Sequence, residues 1–350
     1  MKTESAILVK TGEPLILSEI EVPPLKPGQA LVDIAFSGVC HTQVLEYRGH
    51  RGEDKYLPHC LGHEGSGVVR ETGSDVTKVK PGDKVILSWM KGSGLDVPGA
   101  IYKWNGTSVN AGAITTFSRQ SVISENRLTA IPKDCNISMR EAAMLGCAVP
   151  TGLGAVFNVA KPKKEQSIAI FGIGGVGLCA VAGAAIAECN PIMAIDIKEE
   201  KLELAKKMSA THCINAAELE PVEEIIRLCR NGLDFAIECS GVTKVMLQSI
   251  NSIRNRGGAV VIVGNAPYGE TLTLDPRQFN LGKKLLGTWG GDNTPDIDFP
   301  KYMELVSSRK LNLEPLMSKI YNLSQINDAI DDLENGRAIR PLIDMGLNVD

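Results

Sequence analysis

No apolar run in this chain of 350 residues approaches the roughly 20 residues that a membrane-spanning helix needs. The opening Met1-Lys2-Thr3-Glu4-Ser5 runs straight into a strand-like stretch without the apolar core of a signal peptide, which predicts a cytoplasmic protein. Net charge is small. The 37 basic and 41 acidic residues leave a formal −4, giving no reason to expect nucleic acid or an anionic membrane as partner. A disulfide framework is also missing. The nine cysteines are odd in number, scattered and mostly set in apolar segments, so they read as reduced thiols. No internal repeat or low-complexity tract occurs. What is present is ordinary for a globular protein, 43% hydrophobic and 22% charged, on a chain longer than one core usually supports. Two domains are therefore expected.

The texture changes along the chain. The first third is rich in glycine, proline and short strand-like runs, at residues 6–10, 29–37, 65–71, 83–88 and 114–123. Turn signals such as Pro27-Gly28 and Pro81-Gly82-Asp83 separate them, which predicts a β-rich, partly barrel-like domain. From about Pro150 strands and helices alternate, the pattern of a doubly wound parallel sheet in an α/β fold. Further strands are expected at 213–215, 234–239, 259–263 and 284–288, and helices at 222–230 and 244–253. Beyond Trp289 come a helix at 299–308, a strand, a helix at 323–335 and a closing strand at 339–345. That tail can rejoin the first domain.

Residues 168–196 carry the densest signal. Ser167-Ile168-Ala169-Ile170-Phe171 reads as a buried strand, because a parallel strand covered on both faces need not alternate. Gly172, Gly174 and Gly177 follow in the G-x-G-x-x-G order and open a helical pattern over 176–188. Gly172 makes a tight turn, Gly174 lets backbone approach a pyrophosphate, and Gly177 lets the helix pack close to the strand. The helix N-terminus then offers free N–H groups and partial positive charge to the diphosphate. Ile192-Met193-Ala194-Ile195 forms the next strand, with Asp196 at its carboxyl end, placed to accept from the ribose hydroxyls. A carboxylate there repels a 2′-phosphate, and no arginine follows directly (Ile197-Lys198-Glu199-Glu200), so NAD is favoured over NADP. Asp196 also reads as an N-cap for a helix over 199–208; the two readings are compatible.

Cys40, His63 and Cys147 are soft or borderline metal ligands in the β-rich part, and Glu64 follows His63. Two thiolates, an imidazole and an open fourth position match the ligand set of a catalytic zinc. Taken singly, each cysteine reads equally as a buried core thiol. Their surroundings are Gly38-Val39-Cys40-His41-Thr42, Gly62-His63-Glu64-Gly65-Ser66-Gly67 and Gly146-Cys147-Ala148-Val149-Pro150-Thr151-Gly152. With Phe171-Gly172-Ile173-Gly174-Gly175-Val176-Gly177, these segments resemble the zinc-dependent alcohol dehydrogenases of the medium-chain dehydrogenase/reductase superfamily. The resemblance extends from the opening strand to Ile339-Arg340-Pro341.

It implies a GroES-like catalytic domain over 1–148 and 289–350 and a Rossmann cofactor domain over 149–288. It makes Cys40, His63 and Cys147 the zinc ligands and Glu64 a neighbouring carboxylate or transient ligand. Thr42 becomes the hydroxyl that takes the substrate proton. His41 and Arg340 become diphosphate contacts, Thr151 and Val176 neighbours of the nicotinamide, Gly172, Gly174, Gly175 and Gly177 the turn under the diphosphate, and Asp196 and Lys201 the ribose contacts. The implied reaction is hydride transfer between a zinc-bound alkoxide and NAD, with an aldehyde or ketone in reverse. A homodimer or homotetramer is implied, joined through the strand at 284–288.

Three departures stand out. Residues 90–118, where the family commonly carries four cysteines around a structural zinc, contain no cysteine, so one catalytic zinc per chain is expected. The usual acid that orients a zinc ligand is Gln43, which adds no negative charge. The histidine that often ends the proton relay is Leu45; His50 and His59 are the nearest alternatives, and both read first as ordinary loop histidines. A simple primary alcohol or aldehyde is the first substrate expected. The polar, bulky stretches at 47–54 and 102–105 raise a polyol, cyclitol or sugar derivative as alternative, unless they are only solvated loops. A zinc-free reductase would lack the Cys40/His63/Cys147 set. A non-catalytic NAD- and zinc-binding protein would bind both and turn over nothing.

Overall fold

A computed structural model of the chain describes residues 1–317 and 319–349. They form two compact units, one of residues 1–147 together with the chain from Thr294 onward, the other of residues 148–293. The second unit extends five residues past the boundary expected at 288. The cause is local: Asn293 Nδ2 donates to Pro150 O at 2.7 Å and Asn158 Nδ2 to Gly291 O at 3.1 Å, fastening residues 289–293 to the helix that opens this unit.

The first unit begins with β1 (Lys2–Leu8), β2 (Ile16–Glu21), β3 (Gln29–Gly38), α1 (His41–Tyr47), β4 (His59–Cys60), β5 (Glu64–Thr72) and β6 (Lys84–Ser88). It continues with β7 (Ile101–Trp104), β8 (Thr107–Asn110), β9 (Gln120–Ser124), β10 (Leu128–Ala130) and α2 (Met139–Met144). Strands β1, β2, β7, β8 and β4 close a small barrel around Ile7, Ile20, Tyr102 and Val109. The hairpin β7–β8 turns on Asn105-Gly106, both at positive φ, as a type I′ turn requires. The strand expected over 114–123 is shorter, β9 alone, with Ser118 making only an isolated bridge to Ser5.

The second unit opens with α3 (Ala148–Gly154), which runs into a π-helical turn at Ala155–Ala160. Then follow β11 (Ile168–Phe171), α4 (Gly175–Ile186), β12 (Ile192–Asp196), α5 (Glu199–Lys207), β13 (His212–Asn215), α6 (Pro221–Leu228), β14 (Phe235–Glu238), α7 (Thr243–Ser252), β15 (Ala259–Ile262), α8 (Arg277–Asn280) and β16 (Lys284–Gly287). The sheet order is β13-β12-β11-β14-β15-β16 and every pair is parallel. Strand order thus reverses between β11 and β14, the point where doubly wound sheets bind ligands. All of β11 and β12 is buried, which is why their sequences are unbroken apolar runs. Helix α4 is apolar nearly all round because it too is buried. In α5, Glu199 and Glu200 at the start and Lys206 and Lys207 at the end complement the helix dipole.

The tail returns to the first unit through α9 (Pro295–Ser307), β17 (Ile320–Asn322), α10 (Ile326–Glu334) and β18 (Leu342–Asp344). Strand β18 pairs antiparallel with β3, Leu342 opposite Gly38, so the second sheet runs β10-β6-β5-β3-β18-β17 with β9 also on β3. Helix α9 starts four residues before the expected position 299. Pro295 suits its first turn, and Pro300 lies inside it.

Candidate active site

Three chain segments converge because of strand register. Strand β3 ends at Gly38, and Cys40 follows as the N-cap of α1. Antiparallel pairing sets Ser37 opposite Gly65, so His63, just before β5, arrives beside Cys40. Cys147 comes from the turn after α2, whose Ser138/Glu141 capping box fixes its start. That turn is anchored by Ser88 at the end of β6, whose hydroxyl donates to Gly146 O at 2.7 Å.

One ligand atom from each of Cys40, His63 and Cys147 lies within 4.8 Å of the others. Both cysteines are buried, and His63 Nε2 is buried with no hydrogen-bond partner. A buried ring nitrogen without a partner is costly unless a ligand engages it. The hydrogen bond from Cys147 holds the Cys40 thiol well below its ordinary range; burial opposes this, and the Arg340 and His63 charges add to it. The same bond, together with burial, pushes Cys147 well above. Burial disfavours charge on His63, yet the Cys40 thiolate and Glu64 raise it overall. The pair is thus biased toward giving up one proton at Cys40, and the thiolate is the metal-binding form. Two sulfurs and an imidazole at this spacing fit zinc.

Around the ligands, Gln43 is buried; its Oε1 accepts the Cys40 N–H at 2.8 Å and its Nε2 lies 2.5 Å from His63 Nδ1. Thr42 Oγ1 lies 3.7 Å from the Cys40 sulfur. Glu64 is fully buried and pairs at 2.5 Å with Arg340, itself 3% exposed. Strand β18 brings it there: Val39 N–H donates to Pro341 O at 2.9 Å. Arg340, expected against a diphosphate, is paired with Glu64. Trp89 is a residue that sequence reasoning missed. Its indole N–H donates to the Cys147 sulfur at 3.3 Å, across 58 positions of sequence with no local signal.

His41 and His50 are exposed, and His59 Nε2 is 2.7 Å from Asp54. Tyr102 is fully buried in the barrel, its hydroxyl accepting the Val122 N–H, and burial pushes it up to about 12. The Trp104 indole donates to Ser18, and Arg48 is held by Glu334 at 2.6 Å.

In the second unit the glycines do distinct jobs. Gly172 has φ +86°, open to glycine and strained for other residues. A Cβ on Gly177 would strike the Gly172 carbonyl oxygen, whereas one on Gly174 would meet nothing within 4 Å. The turn is tight on one side and open on the other, with Gly175 and half-buried Val176 leading into α4. Asp196 Oδ2 accepts the Ile173 N–H at 2.7 Å, and Oδ1 accepts those of Ile197 and Lys198 at 2.8 and 3.1 Å; Lys201 Nζ stands 3.8 Å away. The residue capping α5 is Lys198, not Asp196. Thr151 Oγ1 is buried with no hydrogen-bond partner. An open glycine turn at a helix start, an acid at the end of the next strand and an orphaned hydroxyl fit a dinucleotide.

Comparison with known proteins agrees. Residues 26–133 match the model for the alcohol dehydrogenase GroES-like domain, and residues 175–308 match that for zinc-binding dehydrogenases. An S-(hydroxymethyl)glutathione dehydrogenase of Photobacterium damsela subsp. piscicida is 35% identical over 98% of this chain and 100% of its own. The benzyl alcohol dehydrogenase structure from Acinetobacter calcoaceticus superposes with a TM-score of 0.89 at 28% identity, covering 99% of this chain and 100% of that one. A Burkholderia ambifaria alcohol dehydrogenase zinc-binding domain protein gives 0.88 at 27%, with the same coverage. With both units matched and relatives aligned over nearly its whole length, the chain belongs to the zinc-dependent alcohol dehydrogenase family of the medium-chain dehydrogenases/reductases.

Proposed function

We propose that this chain is an NAD-linked alcohol dehydrogenase with one catalytic zinc, interconverting a primary alcohol and its aldehyde. The observation that carries this is the convergence of Cys40, His63 and Cys147 on one point, with His63 Nε2 left without a partner. When bound there, zinc supplies Lewis-acid polarisation of the substrate oxygen, and NAD supplies the hydride acceptor. The chain's own residues do the rest. Cys40, His63 and Cys147 hold the metal. Thr42 Oγ1, at the Cys40 end of the site, would accept the hydrogen bond of the alcohol O–H and, as that proton transfers, pass its own on to water or the cofactor ribose. Gly172, Gly174, Gly175 and Gly177 receive the diphosphate, and Thr151 and Val176 face the nicotinamide. The primary-alcohol assignment is supported by the names of two relatives, since S-(hydroxymethyl)glutathione and benzyl alcohol both carry a CH2–OH group.

Choice of NAD rests on Asp196. Three backbone N–H groups use three of the roughly four acceptor positions of a carboxylate, leaving about one for a ribose hydroxyl, while its negative charge repels a 2′-phosphate. A single zinc is supported by the segment at 90–118, which has no cysteine and whose β7–β8 hairpin is committed to the barrel. Nine free thiols suit the reducing cytoplasm. A homodimer or homotetramer is supported by β16, an edge strand of the parallel sheet that a second copy can extend.

The test is a metal analysis joined to a spectrophotometric screen. One zinc per chain, NAD-linked oxidation of benzyl alcohol or S-(hydroxymethyl)glutathione, a preference for NAD over NADP, and a sedimentation mass of two or four chains are expected. Two zincs per chain, or preference for NADP, would refute the corresponding part. Zinc and NADH binding with no turnover across primary alcohols, secondary alcohols and polyols would instead make this a non-catalytic binder. Thr42→Val should keep its zinc while kcat falls by about 10²–10⁴, the usual contribution of one positioned proton acceptor. An unchanged kcat would assign the proton to another group.

A further inference from the structure

The hydrogen bonds of Gln43 define how firmly the metal is kept, an inference that rests on the zinc reading above. The backbone N–H of Cys40 is an obligatory donor, so the amide must turn its Oε1 toward it, as the 2.8 Å contact shows. The Nε2 amide, a donor only, is then left facing His63 Nδ1 at 2.5 Å. Gln43 is 1% exposed, so the amide group is enclosed by protein. In this arrangement His63 Nδ1 accepts, and the ring proton belongs on Nε2.

A metal at the Cys40/His63/Cys147 site needs the Nε2 lone pair, which moves the ring proton to Nδ1. Two N–H donors, Cys40 N–H and His63 Nδ1–H, then face an amide with one oxygen. With the amide as it stands, Nδ1–H meets an NH2 group. With the amide turned over, the NH2 group meets the Cys40 N–H. One buried donor is left unsatisfied in either orientation. A carboxylate in this position has two oxygens and would satisfy both.

We infer that Gln43 is a positioning residue that keeps the zinc exchangeable: as placed, its amide satisfies both Cys40 N–H and His63 Nδ1 while His63 Nε2 has no partner, and a metal on Nε2 costs one of the two amide bonds, a loss that a carboxylate would avoid. The Trp89 indole works in the same direction. Its N–H on the Cys147 sulfur withdraws charge from a thiolate ligand.

The experiment compares wild type with Gln43→Glu. Zinc affinity and release are read by competition with a chromophoric chelator, and the five histidines are followed by 15N-edited NMR of the zinc-loaded protein. Gln43→Glu should bind zinc about 10- to 100-fold more tightly, the usual span for a group hydrogen-bonded to a metal ligand. It should also show a new, strongly downfield and slowly exchanging His63 Nδ1 proton. A thermal melt of the metal-free form checks that the substitution folds, and Gln43→Asn, which keeps the amide on a shorter arm, should not gain affinity. Equal or weaker zinc binding by folded Gln43→Glu, or a downfield Nδ1 proton already present in loaded wild type, would overturn this inference alone. Failure of both proteins to take up zinc would overturn the zinc reading and this inference with it.

Discussion

Replacing Cys147 by alanine should cost about 10³–10⁴ in kcat/KM for NAD-linked alcohol oxidation, because Lewis-acid stabilisation of several kcal/mol disappears and each 1.4 kcal/mol is a factor of ten. The zinc should be lost with the activity. The remaining thiolate and imidazole, Cys40 and His63, supply two donors where a catalytic site needs three. NADH binding should survive at nearly its original dissociation constant, since the glycine turn and Asp196 belong to the other compact unit, with its own core around Phe171, Met193 and Val260. Metal analysis, fluorescence titration with NADH and steady-state rates on one preparation separate these effects. A Cys147→Ala protein that keeps its zinc and a tenth of its activity would remove this cysteine from the ligand set. Collapse of NADH binding as well would mean that the substitution had damaged the fold.

The second large effect concerns stability. Glu64 is fully buried and Arg340 nearly so, at 2.5 Å from each other. Breaking such a pair from one side leaves an uncompensated charge in the interior, so Arg340→Met should destabilise the protein by about 3–5 kcal/mol. Urea unfolding of the zinc-loaded protein reads this directly. Combining Arg340→Met with Glu64→Gln removes both charges, and the double variant should recover part of the loss. A loss below about 1 kcal/mol for Arg340→Met, or no recovery in the double variant, would show that the pair carries little coupling energy.

Much of this molecule could be read from its sequence because its strongest signals are local. The apolar runs at 168–171 and 192–195 are buried on both faces, and nothing else of that length and composition fits. The glycine turn and the acid 24 positions after Gly172 form one contiguous unit, so their register survives into the structure. The candidate metal-binding set of Cys40, His63 and Cys147 is legible from flanking motifs rather than from spacing.

The barrel was harder. Most of its strands are short, and β2 (Ile16–Glu21) alternates only weakly between buried and exposed positions. Strand β7 was read as a polar stretch although Asn105-Gly106 between two strand-like tetrapeptides is a strong short-range hairpin signal. The side of each tetrapeptide that faces the barrel, Tyr102 and Val109, then follows from alternation. The Trp89–Cys147 and Arg340–Glu64 contacts had no local signature. They depend on which strands become neighbours, and β18 lies beside β3 only after the whole cofactor unit has intervened in sequence.

That placement of β18 orders events on the ribosome. The three sulfur and imidazole donors have all been synthesised by position 147, while the cation that neutralises Glu64 arrives almost two hundred residues later. A nascent chain can therefore assemble its parallel-sheet unit, whose six strands are contiguous in sequence, before the barrel unit has received the Arg340 partner of its buried acid. Completion of the catalytic half waits for translation to pass Arg340.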